Sequence, residues 1–178
     1  SCCSRFRICW VCDVCSYSLC KKGKEPLYNV IGIDLPNESG NERINKINSG
    51  EMPFKTTDCN LSTAFKNVMQ QGNLLASSSI DLFSKADVII VDINFDVDLS
   101  ANNPNVDFSP IKNAIKSIGT YMKSDALVII ETTVPPGTTS EVIYPYLLKL
   151  LKKRYSGLSS VNLAHSYERV MPGKEYFN

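Results

Sequence analysis

Tyr28-Asn-Val-Ile-Gly-Ile-Asp34 is a short apolar run closed by an acid, and it reads as a buried parallel strand. Two further runs resemble it: Ala86-Asp-Val-Ile-Ile-Val-Asp-Ile93, and Ala126 to Glu131, which leads into the turn Val134-Pro-Pro-Gly137. Between and after them lie helical stripes. Leu61, Ala64, Phe65, Val68 and Met69 share one face of a helix that ends at Gly72. Ser109 as N-cap and Pro110 as first helical residue open a helix with Phe108, Ile111, Ala114, Ile115, Ile118 and Met122 along its stripe. Thr139 to Lys153 is a third amphipathic helix, carrying Val142, Ile143, Tyr146, Leu147, Leu150 and Leu151. Its basic end, Lys149 to Arg154, suits the negative pole of the helix and reads as a solvated terminus. Leu74 to Ser78 and Val161 to Ala164 are short enough to be strands.

Strands alternating with helices predict an α/β fold, a doubly wound parallel sheet covered on both faces. Ligands of such sheets sit outside the carboxyl ends of the strands, which directs attention to Asp34, Asp92 to Phe95, Thr132 to Gly137 and His165 to Gly173. Asp34 admits two readings. An acid at this point of a dinucleotide fold accepts hydrogen bonds from the adenosine ribose and repels the 2′-phosphate of NADP. Equally, it could simply cap the next turn.

Composition narrows the classes. The 178 residues are 43% apolar and 21% charged, ordinary for a globular chain. Lys plus Arg number 19 against 18 Asp plus Glu, so no basic footprint points to nucleic acid or an acidic membrane. No apolar run approaches the roughly 18 residues of a membrane span, and no secretory leader is visible. The chain reads as cytoplasmic.

Six of the seven cysteines (Cys2, Cys3, Cys9, Cys12, Cys15 and Cys20) crowd the first twenty residues, whereas no glycine precedes Gly23. Cys9, Cys12, Cys15 and Cys20 approach the spacing of an iron–sulfur run, but the last gap is one residue too long and no proline follows. Zinc would ask for a second separated pair or for histidines, and the single histidine is His165. A disulfide framework conflicts with a cytosolic chain. No metal ligands are assigned on this basis.

Four blocks together resemble the UDP-glucose/GDP-mannose dehydrogenases, the nucleotide-sugar dehydrogenases. They are Val30-Ile-Gly-Ile-Asp34-Leu, Arg43-Ile-Asn-Lys-Ile-Asn48-Ser-Gly50-Glu-Met-Pro53, Ala86-Asp-Val-Ile-Ile-Val91 and Glu131-Thr-Thr-Val-Pro-Pro-Gly137-Thr-Thr139. A fifth, Tyr167-Glu168-Arg169-Val-Met-Pro172-Gly173, is similar to the family's Pro-Glu-Arg…Pro-Gly segment, with Tyr167 in place of proline. The resemblance covers about residues 28 to 178. It implies a Rossmann-type NAD domain of an enzyme that oxidises the C6 alcohol of a nucleotide-linked sugar to a carboxylate with two NAD⁺, through a thiohemiacetal on a nucleophilic cysteine. That cysteine belongs to the family's later half, and no segment here matches it. Cys59 reads instead as a small packing residue.

The same resemblance assigns Asp34 to the ribose, Thr133 to the catalytic water and cofactor, and Glu168 to acid–base or orienting work near the nicotinamide. Asn94 is the best substitute for a cofactor contact where the family has Val-Pro-Thr-Pro and this chain has Asp92-Ile-Asn-Phe95. Glu131 is expected to be structural and His165 a strand-end residue. The substrate class implied is a nucleotide sugar, such as a UDP-sugar, and the full-length partner a second copy in a homodimer.

The family should open with an apolar strand and G-x-G-x-x-G, whose glycines let the backbone approach a pyrophosphate. This chain has Arg5-Phe-Arg-Ile-Cys-Trp-Val-Cys-Asp-Val-Cys15. Reading Arg5 through Val11 one nucleotide later permits Gly-Leu-Gly-Phe-Val-Gly: the Trp10–Val11 glycine is forced by the genetic code, and the two earlier glycines are allowed by it. Residues 1 to 27 are therefore expected to be an aberrant, frame-shifted replacement for the first strand and glycine loop, and residues 28 to 178 the remainder of the NAD domain, ending before the central helix and substrate domain. The fragment alone is expected to be inactive. The alternatives are a non-catalytic Rossmann remnant and a cysteine-cluster metal-binding module.

Overall fold

A computed structural model describes residues 15, 18–93, 97–98 and 105–166. They fall into two compact units, one up to Ser79 and one from Ile80 onward. The expected first strand and glycine loop, with Cys2, Cys3, Cys9 and Cys12, lie outside the described residues.

In the first unit, strands β1 (Val30–Ile33) and β2 (Leu74–Ser77) pair in parallel, Val30 opposite Leu74 and Ile33 opposite Ser77. Parallel neighbours need a crossover, supplied by helices α1 (Glu38–Asn48) and α2 (Cys59–Gln71). Asn37 caps α1 by accepting from Gly40 N, and Asp58 caps α2 by accepting from Asn60 N and Leu61 N. Gly72, at φ 73°, ends α2 where the stripe predicts. Helix α1 has no apolar stripe to announce it, since only Gly40 and Ile47 are buried. The core joins Ile47, Phe65, Val68 and Ala76 with Cys15. Cys59 is exposed at the first position of α2, so it does not pack as expected: the opening turn faces solvent, and the buried stripe starts at Leu61.

The second unit holds a three-stranded parallel sheet in the order β3 (Val88–Val91), β4 (Leu127–Ile130), β5 (Asn162–His165). Helix α3 (Ser109–Tyr121) connects the first pair. A π-helical turn, Thr138–Ile143, running into α4 (Tyr144–Lys152), connects the second. The sequence predicts one regular helix here; instead its first turn is widened, with Tyr144 N donating to Thr139 O, and Pro145 follows in the first turn of α4, where its missing N–H is tolerated. Helix α3 also begins differently: Phe108 is the N-cap, Ser109 is already helical, and Asp107 Oδ1 accepts from Ser109 N at 2.8 Å. Hydrogen bonds from Ser109 hold the Asp107 carboxyl below its usual range. At the other end, Arg154 is more than a solvated charge. Its guanidinium donates to Gly119 O and Met122 O and lies 4.9 Å from the Tyr155 ring centroid, tying the end of α4 to the end of α3.

Ile89, Val91, Val128 and Ile130 are buried with Ile111, Ile115, Ile118, Met122, Leu147 and Leu151 in one cluster. Val88 is 51% exposed beside buried Ile89, and the register partners Ile31 and Leu75 of the first unit are 36% and 48% exposed. Crossovers β3–α3–β4 and β4–α4–β5 step the same way across the sheet, and α3 and α4 pack against each other, as two crossovers of the usual right-handed sense would place them.

Replacing Ile115, fully buried at the centre of α3, by Ala should destabilise the second unit by about 2–5 kcal/mol, read from urea unfolding. Burial pushes the Cys15 thiol up to about 12. Because the folded value lies above the unfolded one, its stabilising contribution is complete below about pH 9 and is lost as pH rises toward 12. Iodoacetamide at pH near 8 should therefore label exposed Cys20 and Cys59 but leave Cys15 unmodified until the chain unfolds, as peptide mapping would read.

Candidate functional site: the carboxyl ends of the parallel strands

At the end of β1, Asp34 N continues the ladder by donating to Ser77 O, while its side chain meets α1. Arg43 Nε donates to Asp34 Oδ2 at 2.6 Å and Arg43 Nη2 to Asp34 Oδ1 at 2.8 Å. The guanidinium plane and the carboxylate plane thus meet as a bidentate clasp, the strong geometry for this pair. Leu35 N donates to Asp34 Oδ1, and Arg43 Nη1 to Ser39 Oγ one turn earlier on α1. The side chains of Arg43 and Asp34 are 14% and 19% exposed. The turn that brings α1 back to the strand needs glycine at position 40, where a Cβ would sit 2.0 Å from Leu35 O.

Further along α1, the Asn48 amide pairs with the outer edge of β2, donating to Ala76 O and accepting from Ala76 N. This side chain ends the sheet as another strand would have continued it.

In the second unit, Val91, Ile130 and His165 form one register row across the sheet. Beyond it stand Asp92, Glu131 and Ser166, with Glu131 N donating to Val91 O and Ser166 N to Ile130 O. Glu131 and Thr132 are buried, and Thr132 Oγ1 accepts from Ile93 N at 2.9 Å while its hydroxyl faces Val91 O and Ile93 O. Thr132 therefore stitches the loop after β3 to the loop after β4. Thr133, the next residue, is exposed where the chain turns toward Gly137. Gly137 sits at φ 85°, and a Cβ there would press on the Glu141 carboxylate. The turn and the end of β5 enclose a cleft of about 550 Å³ bordered by Pro135, Gly137, Thr139, Tyr144, Leu163 and His165.

Of the residues singled out from the sequence, Asp34, Glu131, Thr133 and His165 all stand at strand carboxyl ends, Asp34 in the first unit and the others in the second. Asn94 and Glu168 lie outside the described residues. Glu131 is buried, in keeping with a structural part. Arg43, Asn48 and Thr132 belong to the motif blocks, but the sequence assigns none of them a role of its own. The signal available for Arg43 was its spacing of four from Ser39 on a helix that returns to the end of β1.

The chemistry of the clasp fits an adenosine ribose. A carboxylate offers about four acceptor positions, of which Arg43 takes two and Leu35 N one. One remains for a hydroxyl donor.

Comparison with known proteins bears on the same residues. The profile of the UDP-glucose/GDP-mannose dehydrogenase family, NAD binding domain, matches residues 10–178. UDP-N-acetyl-D-mannosamine dehydrogenase of Methanocaldococcus jannaschii is 34% identical over 146 residues, covering 82% of this chain and 30% of that protein. The Pyrococcus horikoshii protein of the same name is 33% identical over 147 residues, 83% of this chain and 32% of its own. Among solved structures, the Pyrococcus horikoshii UDP-D-ManNAc dehydrogenase superposes with a TM-score of 0.66 at 28% identity, over 94% of this chain and 35% of that one. NDP-N-acetyl-D-galactosaminuronic acid dehydrogenase of Methanosarcina mazei shares the fold, with a TM-score of 0.72 at 24% identity, over 92% of this chain and 33% of that one. The chain spans about a third of the length of these relatives. With its parallel strands, and with the family profile matched from residue 10 to its last residue, the chain belongs to the UDP-glucose/GDP-mannose dehydrogenase family, as the NAD-binding Rossmann domain.

Proposed function

We infer that this chain is the NAD-binding part of a nucleotide-sugar 6-dehydrogenase, one that oxidises the C6 alcohol of a UDP-sugar to a carboxylate. The observation that carries the reading is the acceptor position left open on Asp34 at the end of β1, in a chain whose family is defined by NAD binding. NAD⁺, when bound, supplies the hydride acceptor for both oxidation steps. Asp34 would hold the adenosine ribose, and Arg43 would fix the orientation of its carboxylate. Thr133, exposed past the end of β4, is free to meet substrate, water or cofactor; Glu168 would serve acid–base or orienting work, and Asn94 a cofactor contact. The whole enzyme would be cytoplasmic and homodimeric; no helix among the described residues is long and apolar enough to cross a membrane.

The cysteine nucleophile of the reaction is outside the residues matched here, and the glycines of the pyrophosphate loop are absent from the sequence before Gly23. A backbone carrying Cβ atoms, an arginine pair and Asp13 in that stretch cannot offer the close approach that G-x-G-x-x-G gives. The fragment should therefore be inactive and bind NAD⁺ feebly.

Calorimetric titration should show no NAD⁺ binding in the micromolar range; micromolar affinity would refute the account of the amino-terminal segment. The variant R5G/F6L/R7G/I8F/C9V/W10G, which restores the alternative reading frame, should bind NAD⁺ at least roughly tenfold more tightly than the parent chain. No gain in that variant would count against the dinucleotide reading itself.

A further inference from the structure

The clasp changes what excludes NADP. An unpaired Asp34 would repel a 2′-phosphate through its charge, but the bidentate contact with Arg43 leaves the pair close to neutral. The exclusion must come from occupancy: the carboxylate fills the guanidinium fork that a phosphate would otherwise enter. Arg43 is well placed to hold that fork ready. Of its five N–H donors, Nε and one on Nη2 face Asp34, and one on Nη1 is anchored on Ser39 Oγ at 2.7 Å. The Ser39 contact does not involve Asp34, so it would keep the guanidinium aimed when the carboxylate is gone. A largely buried guanidinium deprived of its anion demands another, and the fork geometry that suits a carboxylate also suits a phosphate.

We propose that Arg43 is a specificity-determining residue carrying a latent nucleoside 2′-phosphate site, which Asp34 keeps closed and which removal of the Asp34 side chain opens. This rests on the adenosine-end reading of Asp34 given above, and the test separates the two. The probes are adenosine 5′-monophosphate and adenosine 2′,5′-bisphosphate, which reach the clasp without relying on a complete pyrophosphate loop. Binding to the chain is followed by amide chemical-shift titration, independent of any catalytic turnover.

The parent chain should prefer the monophosphate. Asp34→Ser should reverse that preference, tightening the bisphosphate by roughly ten- to a hundredfold, the scale of one bidentate charged contact. Asp34→Asn, whose amide oxygen still accepts from Arg43, should gain less. In the double variant D34S/R43M the gain should vanish, because Met keeps an unbranched apolar side chain and removes the fork. Arg43→Met alone should widen the preference for the monophosphate, since an uncompensated carboxylate repels a 2′-phosphate. The proposal is overturned if D34S binds the bisphosphate no better than the parent while the parent still binds the monophosphate. It is equally overturned if the gain survives in D34S/R43M. If neither the parent nor D34S binds either adenosine compound, the proposal falls together with the assignment of this strand end to adenosine.

Discussion

Parallel pairing is the constraint from which the rest follows. Every strand of a parallel sheet ends at the same edge, and every connection must climb back over the sheet to begin the next one. The chain meets this with α1 and α2 between β1 and β2, α3 between β3 and β4, and the π turn with α4 between β4 and β5. The short loops that follow each strand are thereby collected at one edge of each sheet, whatever their sequence. Asp34 in one unit, and the row Asp92, Glu131 and Ser166 in the other, owe their positions to that topology rather than to any affinity for one another.

Within that frame the loops are held by polar contacts that local sequence patterns do not announce. Thr132 is a good example: its hydroxyl binds both the amide and the carbonyl of Ile93, 39 residues away in sequence. A buried hydroxyl with these partners satisfies groups that would otherwise be stranded at the end of β3. Neighbouring Thr133 has the opposite character, exposed and outward. Two adjacent threonines in Glu131-Thr-Thr thus divide the labour, one fixing the loop and the other facing solvent. Asn48 does for the margin of the first sheet what Thr132 does for the loops of the second, closing the open edge of β2 at Ala76 with a side-chain amide.

How much could be read beforehand depended on how the information is carried. The apolar runs at Val30, Val88 and Leu127 and the stripes through Phe65 and Ile115 located the strands and helices, because burial leaves a period in the sequence. Gly72 and Pro110 marked boundaries through backbone chemistry, although Asp107 and Phe108 moved the start of α3 by one position. Helix α1 escaped, since its mean character is polar and only Ile47 and Gly40 are buried. The π turn escaped as well, even with Pro145 in plain view, because the stripe through Ile143 and Leu147 survives a widened turn. Asp34 was recognisable from its place at a strand end; that Arg43 would engage both of its oxygens was not, because that contact depends on how far α1 turns back over β1. Cys59 was misjudged for a similar reason, since the period of α2 does not say which residue of the first turn meets water.

On the proposed reading, the division of labour in a dinucleotide site would let the chain keep its fold and an adenosine clasp while its cofactor affinity is weakened. The clasp uses side chains on β1 and α1 that are braced by the core of Ile47, Phe65, Val68 and Ala76. Its geometry depends on Gly40 and Asn37 at the start of α1. The pyrophosphate cradle depends instead on backbone amides that must approach the ligand without intervening Cβ atoms, and the first twenty-two residues contain no glycine to permit it. Hydrophobic burial tolerates many substitutions of similar size and polarity, so an apolar stretch such as Phe6-Arg-Ile-Cys-Trp-Val11 can retain strand-forming character after a change of reading frame. Glycine at a phosphate loop has no such equivalents. A single shift of frame would therefore remove anion binding at one end of the cofactor while leaving ribose selection at the other end written in Asp34 and Arg43.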